Sequence, residues 1–385
     1  MSKFYKAGSI ILEDEVVTNA YLEVKEDGTF GGIHESINEN EDVVDYSNYT
    51  VAPGLVDTHI HGYAGHDVMD VDFDGLNEIS EGLLSCGVTS FLPTTLTDST
   101  ENLNAACSLI GERYEDVSGA KIRGIFLEGP FFTEEHKGAQ NPKYMGDPSI
   151  EKLDKWNNLS KDLVNKIAIA PERDGVKEFI EFANSKEIRT ALAHSSATYV
   201  EAKEAVDAGA NIFIHTFNGM SGLHHREPGM VGAALSLKDV YAEVIADGHH
   251  VHPAAIDVVI KARGKDETVL VTDCMRAGGQ GEGNSMLGEF EVLVQDGAVR
   301  LKSNHSLAGS VLELIQGVQN IVEWDLGNVA DAINMASLNP AKSVGIDNVC
   351  GKIAAGYEAD FIVIDEDATL QATYLNGEKR FSLDI

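Results

Sequence analysis

Six side chains able to bind a cation or move a proton close short apolar runs along this chain. His59 and His61 lie in VAPGLVDTHIHG, Glu128 in IRGIFLEGP, His194 in RTALAHS, His215 in NIFIHTFN and Asp273 in VLVTD. An HxH pair on a β-strand turns both imidazoles to one face, because strand side chains alternate with period two. His59 and His61 can therefore grip one ion. Glu128, His194 and His215 offer one carboxylate and two imidazoles, a set that leaves a coordination position open for water. Nitrogen and oxygen donors suit zinc, with iron and manganese as the alternatives. Asp273 is then placed to take a proton from that water and to hand it to a leaving amine. An isolated HxH is as often a pair of satisfied polar histidines; recurrence at one strand end after another is what favours chemistry. The pattern implies a hydrolase that uses one or two divalent ions.

Such side chains must be brought together by elements far apart in sequence. Eight candidate strands between Val51 and Asp273 end near Asp57, Thr95, Glu128, Glu172, His194, His215, Asp247 and Asp273. Most are β-branched or apolar runs, as buried parallel strands are. Helix-like stretches separate them, among them DFDGLNEISEGLLSCG and SATYVEAKEAVDAGA, the second with Ser195 or Ser196 as its cap and Gly209 as its stop. Eight such units predict an α/β fold, a (β/α)8 TIM-like barrel whose catalytic groups stand at the C-terminal strand ends. The ends of the chain read as short strands, with turn signals at Glu26-Asp27-Gly28, Gly31-Gly32 and Asn376-Gly377. The expected division is a small β-sandwich domain from residues 1–52 and 346–385, and a catalytic barrel over 53–345.

Composition narrows the partners. The formal net charge of −33 repels nucleic acid and anionic membrane, so neither is expected. A small anionic substrate needs a local cationic pocket. Cys86, Cys107, Cys274 and Cys350 show no CxxC spacing, which fits a reducing cytosol. The N-terminal stretch has no signal-like apolar region and no run approaches a membrane span. A cytoplasmic protein is expected.

The motifs APGLVDTHIHG, FLEGPF, KGAQNP, AHSSA, HTFNGM, HREPGMVGAAL, ADGHHVHP, VTDCM, LAGS and SLNPAKSVG resemble those of the amidohydrolase superfamily. Within it the chain is similar to the N-acetylglucosamine-6-phosphate deacetylase family, over nearly its whole length. The resemblance implies hydrolysis of the acetamide of a phosphosugar to an amino sugar and acetate, by a homodimer or larger homo-oligomer. Carried over to this chain, Glu128, His194 and His215 match the metal ligands and Asp273 the catalytic acid/base. His250 matches the histidine that helps polarise the amide carbonyl. Asn218 and Gly219 match positions that meet the phosphate, and Arg226 the arginine that reaches it from a neighbouring subunit. Ala139, Gln140, Leu307 and Ala308 correspond to sugar-contacting loops. Some members lack the HxH pair and use one metal; this chain keeps His59 and His61, so the resemblance allows a second ion. Some carry histidine where Gln140 stands, and glutamine can hydrogen-bond a hydroxyl but not carry charge.

The rival reading is another amidohydrolase, acting on a different N-acyl sugar or a cyclic amide. Cyclic amidases of the superfamily often bridge two metals with a carboxylated lysine, and no lysine ends the third or fourth candidate strand. A barrel turned non-catalytic scaffold should have lost ligands, and this chain keeps them.

Overall fold

Runs such as LVDTHI and VTSFLPTT are buried along their whole length, which only a sheet covered on both faces allows. In the computed structural model, which describes residues 2–383, they are the first two strands of a parallel barrel. Its strands are β5 (Leu55–Ile60), β6 (Val88–Thr95), β7 (Ile125–Phe131), β8 (Val164–Ile169), β9 (Arg189–Leu192), β10 (Ile212–Phe213), β11 (Tyr241–Val244) and β12 (Thr268–Leu270). They pair in sequence order, each parallel to the next. The ring closes just past β12, where Asp273 N donates to His59 O at 2.9 Å and Ile60 bridges Cys274 in parallel. Asp57 reinforces this seam: its buried carboxylate accepts from Thr272 Oγ1 at 2.6 Å and from His59 N at 3.1 Å. Burial pushes that carboxyl up to about 6 despite those hydrogen bonds.

The expected alternation of strands and helices is present. Helices α1 (Phe73–Leu83), α2 (Thr100–Arg113), α3 (Ile150–Leu159), α4 (Val176–Ser185), α5 (Tyr199–Ala208), α6 (Gly229–Ser236) and α7 (Pro253–Arg263) follow successive strands, and α8 (Leu314–Glu323) comes after an insertion. Their apolar faces and the outer faces of the strands share one large core that includes Phe91, Trp156, Phe179 and Ile256. A second core of Val56, Leu92, Phe126, Ala168 and Ile212 fills the barrel. Each fully buried side chain of this size contributes ~1.5–3 kcal/mol.

α5 stops at Gly209 as its sequence suggests, but its cap is Thr198, not Ser195 or Ser196. Thr198 accepts from Glu201 N while Glu201 answers at the Thr198 amide. Ser195 Oγ instead donates to Glu172 at 2.7 Å, and Ser196 Oγ to Glu135 at 2.9 Å. Acidic partners from other loops outcompete the local cap.

The two chain ends meet in one seven-stranded sheet. Its N-terminal strands are β1 (Lys3–Ile11), β2 (Val16–Val24), β3 (Phe30–His34) and β4 (Asp42–Pro53), and β4 runs straight into the barrel through Gly54. Gly31 and Gly32 lie inside β3 rather than at a turn. Past the barrel come β13 (Gly283–Leu287), β14 (Phe290–Gln295) and β15 (Ala298–Leu301), a small antiparallel sheet that composition left unmarked. The C-terminal strands β16 (Phe361–Ile364), β17 (Leu370–Leu375) and β18 (Glu378–Ser382) complete the terminal sheet, with β16 antiparallel to β4. The Asn376-Gly377 turn joins β17 to β18, and both of its residues have positive φ, as a tight hairpin requires. Phe361 stacks on Tyr374 at 4.3 Å, and the hydroxyls of Tyr46 and Tyr374 meet at 2.6 Å. Lys121 ties this sheet to the barrel by ion pairs of 2.8 Å to both Glu358 and Asp360.

Candidate active site

The C-terminal ends of β5, β7, β9 and β10 and the segment after β12 converge on one point. His59 comes from β5 and His61 from just past it, Glu128 from β7, His194 and His215 from just past β9 and β10, and Asp273 from just past β12. All six are buried. His59 Nε2 lies 3.3 Å from Glu128 Oε1, His61 Nε2 lies 3.1 Å from Glu128 Oε2, and His194 and His215 approach Oε1 at 3.5 and 3.4 Å. Asp273 Oδ1 stands 3.2 Å from His61 Nε2 and 3.4 Å from His59 Nε2. Glu128 is therefore shared by two donor groups, His59/His61/Glu128 and Glu128/His194/His215.

Whether these residues suit a cation can be tested on the hydrogen bonds behind the rings. Every Nδ1 faces an acceptor: Glu243 Oε2 at 3.3 Å for His59, Thr94 O at 3.2 Å for His61, His136 O at 2.9 Å for His194 and Asn218 O at 3.1 Å for His215. With Nδ1 donating, a neutral ring presents its Nε2 lone pair to the centre. There it meets carboxylate lone pairs. Among the described residues, His59 Nε2 and Glu128 Oε1 are buried without a hydrogen-bond partner although they face each other. Two donors each about 2.1 Å from a tetrahedral ion stand about 3.4 Å apart, which matches the observed separations. The donor set fits a divalent metal.

The field points the same way. Burial works against charge on Glu128, but the field of His59 and the close approach of the surrounding imidazoles outweigh it and hold its carboxyl well below the usual range. Asp273 is likewise lowered against its own burial, chiefly by the charge of His59 and by His61. Burial alone would depress His59, yet Glu128 and Asp273 raise it to about 9. His215, by contrast, is lowered by burial, and two ionised carboxylates beside buried imidazoles attract a divalent cation, which competes with protons for the same lone pairs.

Backbone strain accompanies the chemistry. His194, His215 and Asp273 have φ of 43°, 30° and 49°, a region that costs a residue other than glycine about 1–3 kcal/mol. Gly219, at φ 59°, has no such freedom to gain a side chain: a Cβ there would lie 2.7 Å from His194 Nδ1.

The site opens into a cavity of about 430 Å³. Ala139, Gln140, Asn218, Gly219, His250, Leu307 and Ala308 all line it, beside His61, Glu128, His194, His215 and Asp273. His250 is anchored by Asp247, whose Oδ2 accepts from Nδ1 at 2.6 Å, while His249 is exposed. Gln140 has both ends of its amide engaged: Nε2 donates to Glu128 Oε2 at 2.7 Å, and Oε1 accepts from Thr97 N at 2.9 Å. Arg226 does not line this cavity within the chain; it is exposed, with Nη1 2.7 Å from His225 Nε2. Cys274 is buried, with its thiol pushed well up by desolvation.

Three participants were not singled out by sequence. Arg300, from β15, is the one lysine or arginine lining the cavity among the described residues. Lys166 and Glu243 form a fully buried ion pair inside the barrel, and Glu243 is the carboxylate behind His59. A signal for the pair did exist: each is a lone charge in an apolar strand, VNKIAI and YAEV. Lys166 is in mid-strand, so the expectation that no lysine ends this strand stands beside it.

With that geometry in place, likeness to known proteins becomes informative. The profile of the amidohydrolase family matches residues 50–383. Over 379 residues the chain is 38% identical to the N-acetylglucosamine-6-phosphate deacetylase of Vibrio furnissii, covering 98% of this chain and 94% of that protein. It is 40% identical over 329 residues to the N-acetylgalactosamine-6-phosphate deacetylase of Escherichia coli O157:H7, covering 85% and 87%. A mutant N-acetyl-D-glucosamine-6-phosphate deacetylase of Mycobacterium smegmatis, solved with N-acetyl-D-glucosamine-6-phosphate, superposes with a TM-score of 0.92 at 28% identity, over 99% of this chain and 100% of that one.

Proposed function

The chain belongs to the amidohydrolase family, and from that premise we propose that it deacetylates N-acetylglucosamine 6-phosphate to glucosamine 6-phosphate and acetate. The observation that carries this reading is a cation-binding cluster and an ionised Asp273 in one cavity, in a chain that aligns with such a deacetylase over 98% of its length. Zinc is the ion we assign, since nitrogen and oxygen donors at these separations suit it; iron and manganese remain for elemental analysis to separate.

A divalent cation bound at this centre supplies Lewis acidity, which polarises a carbonyl and makes water a stronger acid. Asp273 Oδ accepts the proton of the attacking water as the oxygen adds to the acetyl carbon. The same carboxyl then delivers that proton to the sugar nitrogen as the C–N bond breaks, leaving acetate and a free amine. His250, steadied by the hydrogen bond between its Nδ1 and Asp247 Oδ2, has Nε2 for the cavity and helps polarise the acetyl carbonyl there. Ala139, Gln140, Leu307 and Ala308 border the sugar. Asn218, the backbone amide of Gly219 and the guanidinium of Arg226 from a neighbouring subunit hold the phosphate in a homodimer; the Asn218 amide itself donates to His215 O at 2.9 Å. The phosphate is remote from the reacting atoms, so its binding energy orients the acetamide, and the free sugar should lose turnover as well as affinity.

No helix among the described residues is long and apolar enough to cross a membrane. The reaction is assigned to the cytoplasm, with a terminal domain of residues 1–52 and 346–385 and a catalytic barrel over 53–345.

The N-acetylgalactosamine-6-phosphate deacetylase at 40% identity favours a second reading, in which the 4-epimer is the substrate. Acetate release from both phosphorylated epimers and from unphosphorylated N-acetylglucosamine, before and after chelation and zinc restoration, tests the proposal. Chelator-sensitive release that prefers N-acetylglucosamine 6-phosphate is expected. Preference for the galactose epimer would move the assignment to the second reading, and no release from either would overturn both.

A further inference from the structure

Lys166 and Glu243 are fully buried charges with no place in the reaction. Lys166 Nζ hydrogen-bonds Glu243 Oε1, reaches Thr58 O at 3.3 Å and lies 3.9 Å over the Phe126 ring. The other oxygen of Glu243 faces His59 Nδ1 at 3.3 Å. His59 is thereby unlike its companions. The rings of His61, His194 and His215 are steadied by backbone oxygens, and His59 alone by a carboxylate.

We infer that the Lys166–Glu243 pair is a positioning device for His59 that sets how tightly the His59/His61/Glu128 group holds its cation, separately from the Glu128/His194/His215 group. A carboxylate behind Nδ1–H fixes the tautomer and the ring plane and strengthens Nε2 as a donor. An unpaired carboxylate is not tolerated in a dry barrel, so Glu243 needs a countercharge to stay ionised there. Lys166 supplies it from the floor of the same barrel, out of reach of the cavity, and contributes no net charge once paired. Glu128 is bound into both groups, but His194 and His215 receive nothing from this pair. Its influence therefore falls on one of the two cation positions. The inference rests on the cation-binding reading of the site and not on the identity of the sugar.

The test is zinc binding by chelator-stripped protein, with zinc ion alone as the probe and substrate absent. Wild type, Glu243→Gln and Lys166→Met are compared by elemental stoichiometry and competitive titration, with thermal melts to monitor folding. Wild type should bind two ions. Each variant should keep one ion at wild-type affinity and bind the other 10- to 100-fold more weakly, the usual effect of removing a partner behind a ligating histidine. In a His59→Asn background, adding Glu243→Gln should weaken that second ion little further, because Glu243 acts through His59. If a single variant does not fold, the Glu243→Gln/Lys166→Met double variant, which leaves no unpaired charge, carries the same expectation. Two ions at wild-type affinity in these variants, or equal weakening of both, would overturn the inference. The expected binding pattern in a protein inactive on acetylated sugars would overturn the proposed function and leave this one standing.

Discussion

Replacing Asp273 by asparagine removes a proton acceptor while keeping the shape of the side chain. The carboxylate is buried, with Oδ1 3.2 Å from His61 Nε2 and 3.4 Å from His59 Nε2. It is held ionised below the usual range, so in the wild type it is ready to accept a proton at neutral pH. An amide cannot. Positioned acid–base catalysis contributes about 10²- to 10⁴-fold, and the mechanism proposed above gives Asp273 two transfers, one from water and one to nitrogen. The loss should lie at the upper end, ~10⁴-fold in kcat, equivalent to about 5.4 kcal/mol of barrel-imposed transition-state stabilisation at 1.36 kcal/mol per decade. KM should change little, because the amide is assigned no contact with the phosphate. Zinc at Glu128/His194/His215 should survive, since none of those three side chains depends on Asp273 for its orientation. The assay is steady-state acetate release by zinc-loaded protein, paired with elemental analysis of the same sample. A kcat within tenfold of wild type, with zinc retained, would remove Asp273 from the mechanism.

Arg226→Ala should lower kcat/KM on the phosphorylated sugar by about 10- to 150-fold, the value of a charged hydrogen bond of about 1.5–3 kcal/mol, and leave the free sugar unaffected; equal losses on both would refute a phosphate role. Gly219→Ala should lose zinc and melt at lower temperature, because the new Cβ would sit 2.7 Å from His194 Nδ1 at a φ that costs an L-residue about 1–2 kcal/mol. Unchanged zinc content would show that His194 does not depend on this clearance. Asp247 is kept below its ordinary value because His250 outweighs the opposing effect of burial. Its contribution to stability is then complete above the unfolded-state value of about 3.9 and is lost as pH falls through the lower folded value. The stability gap between wild type and Asp247→Asn, read by chemical denaturation, should narrow as pH is taken from 7 towards 3; a constant gap would contradict this ionisation.

The cluster of candidate donors and the barrel were legible because both depend on local pattern. Period-two alternation put His59 and His61 on one face whatever the rest of the chain did, and apolar runs ending in a ligand marked strands buried on both sides. Gly209 and the Asn376-Gly377 turn were equally local, since positive φ restricts which residues can stand there. Other features were settled only by tertiary contact. Thr198 caps α5 because Glu172 and Glu135 draw away the serines before it. Gln140 braces Glu128 because the fold brings the loop after β7 over the mouth of the barrel.

Arg300 shows the same dependence: it reaches the cavity from β15, whose small sheet follows the last barrel strand and returns over the site. His194, His215 and Asp273 hold positive-φ backbone conformations uncommon for residues other than glycine, and the closed ring of strands bears that strain. Lys166 and Glu243 are the clearest case. Each reads alone as a misplaced charge in an apolar strand, and neither sequence neighbourhood names the other. What the sequence determined by itself was which residue types the site contains and which strands present them, because alternation and chain reach are local constraints. Which nitrogen of each ring faces the centre, and which charges lie behind it, only the tertiary structure decided, because those choices depend on partners that meet across a closed barrel.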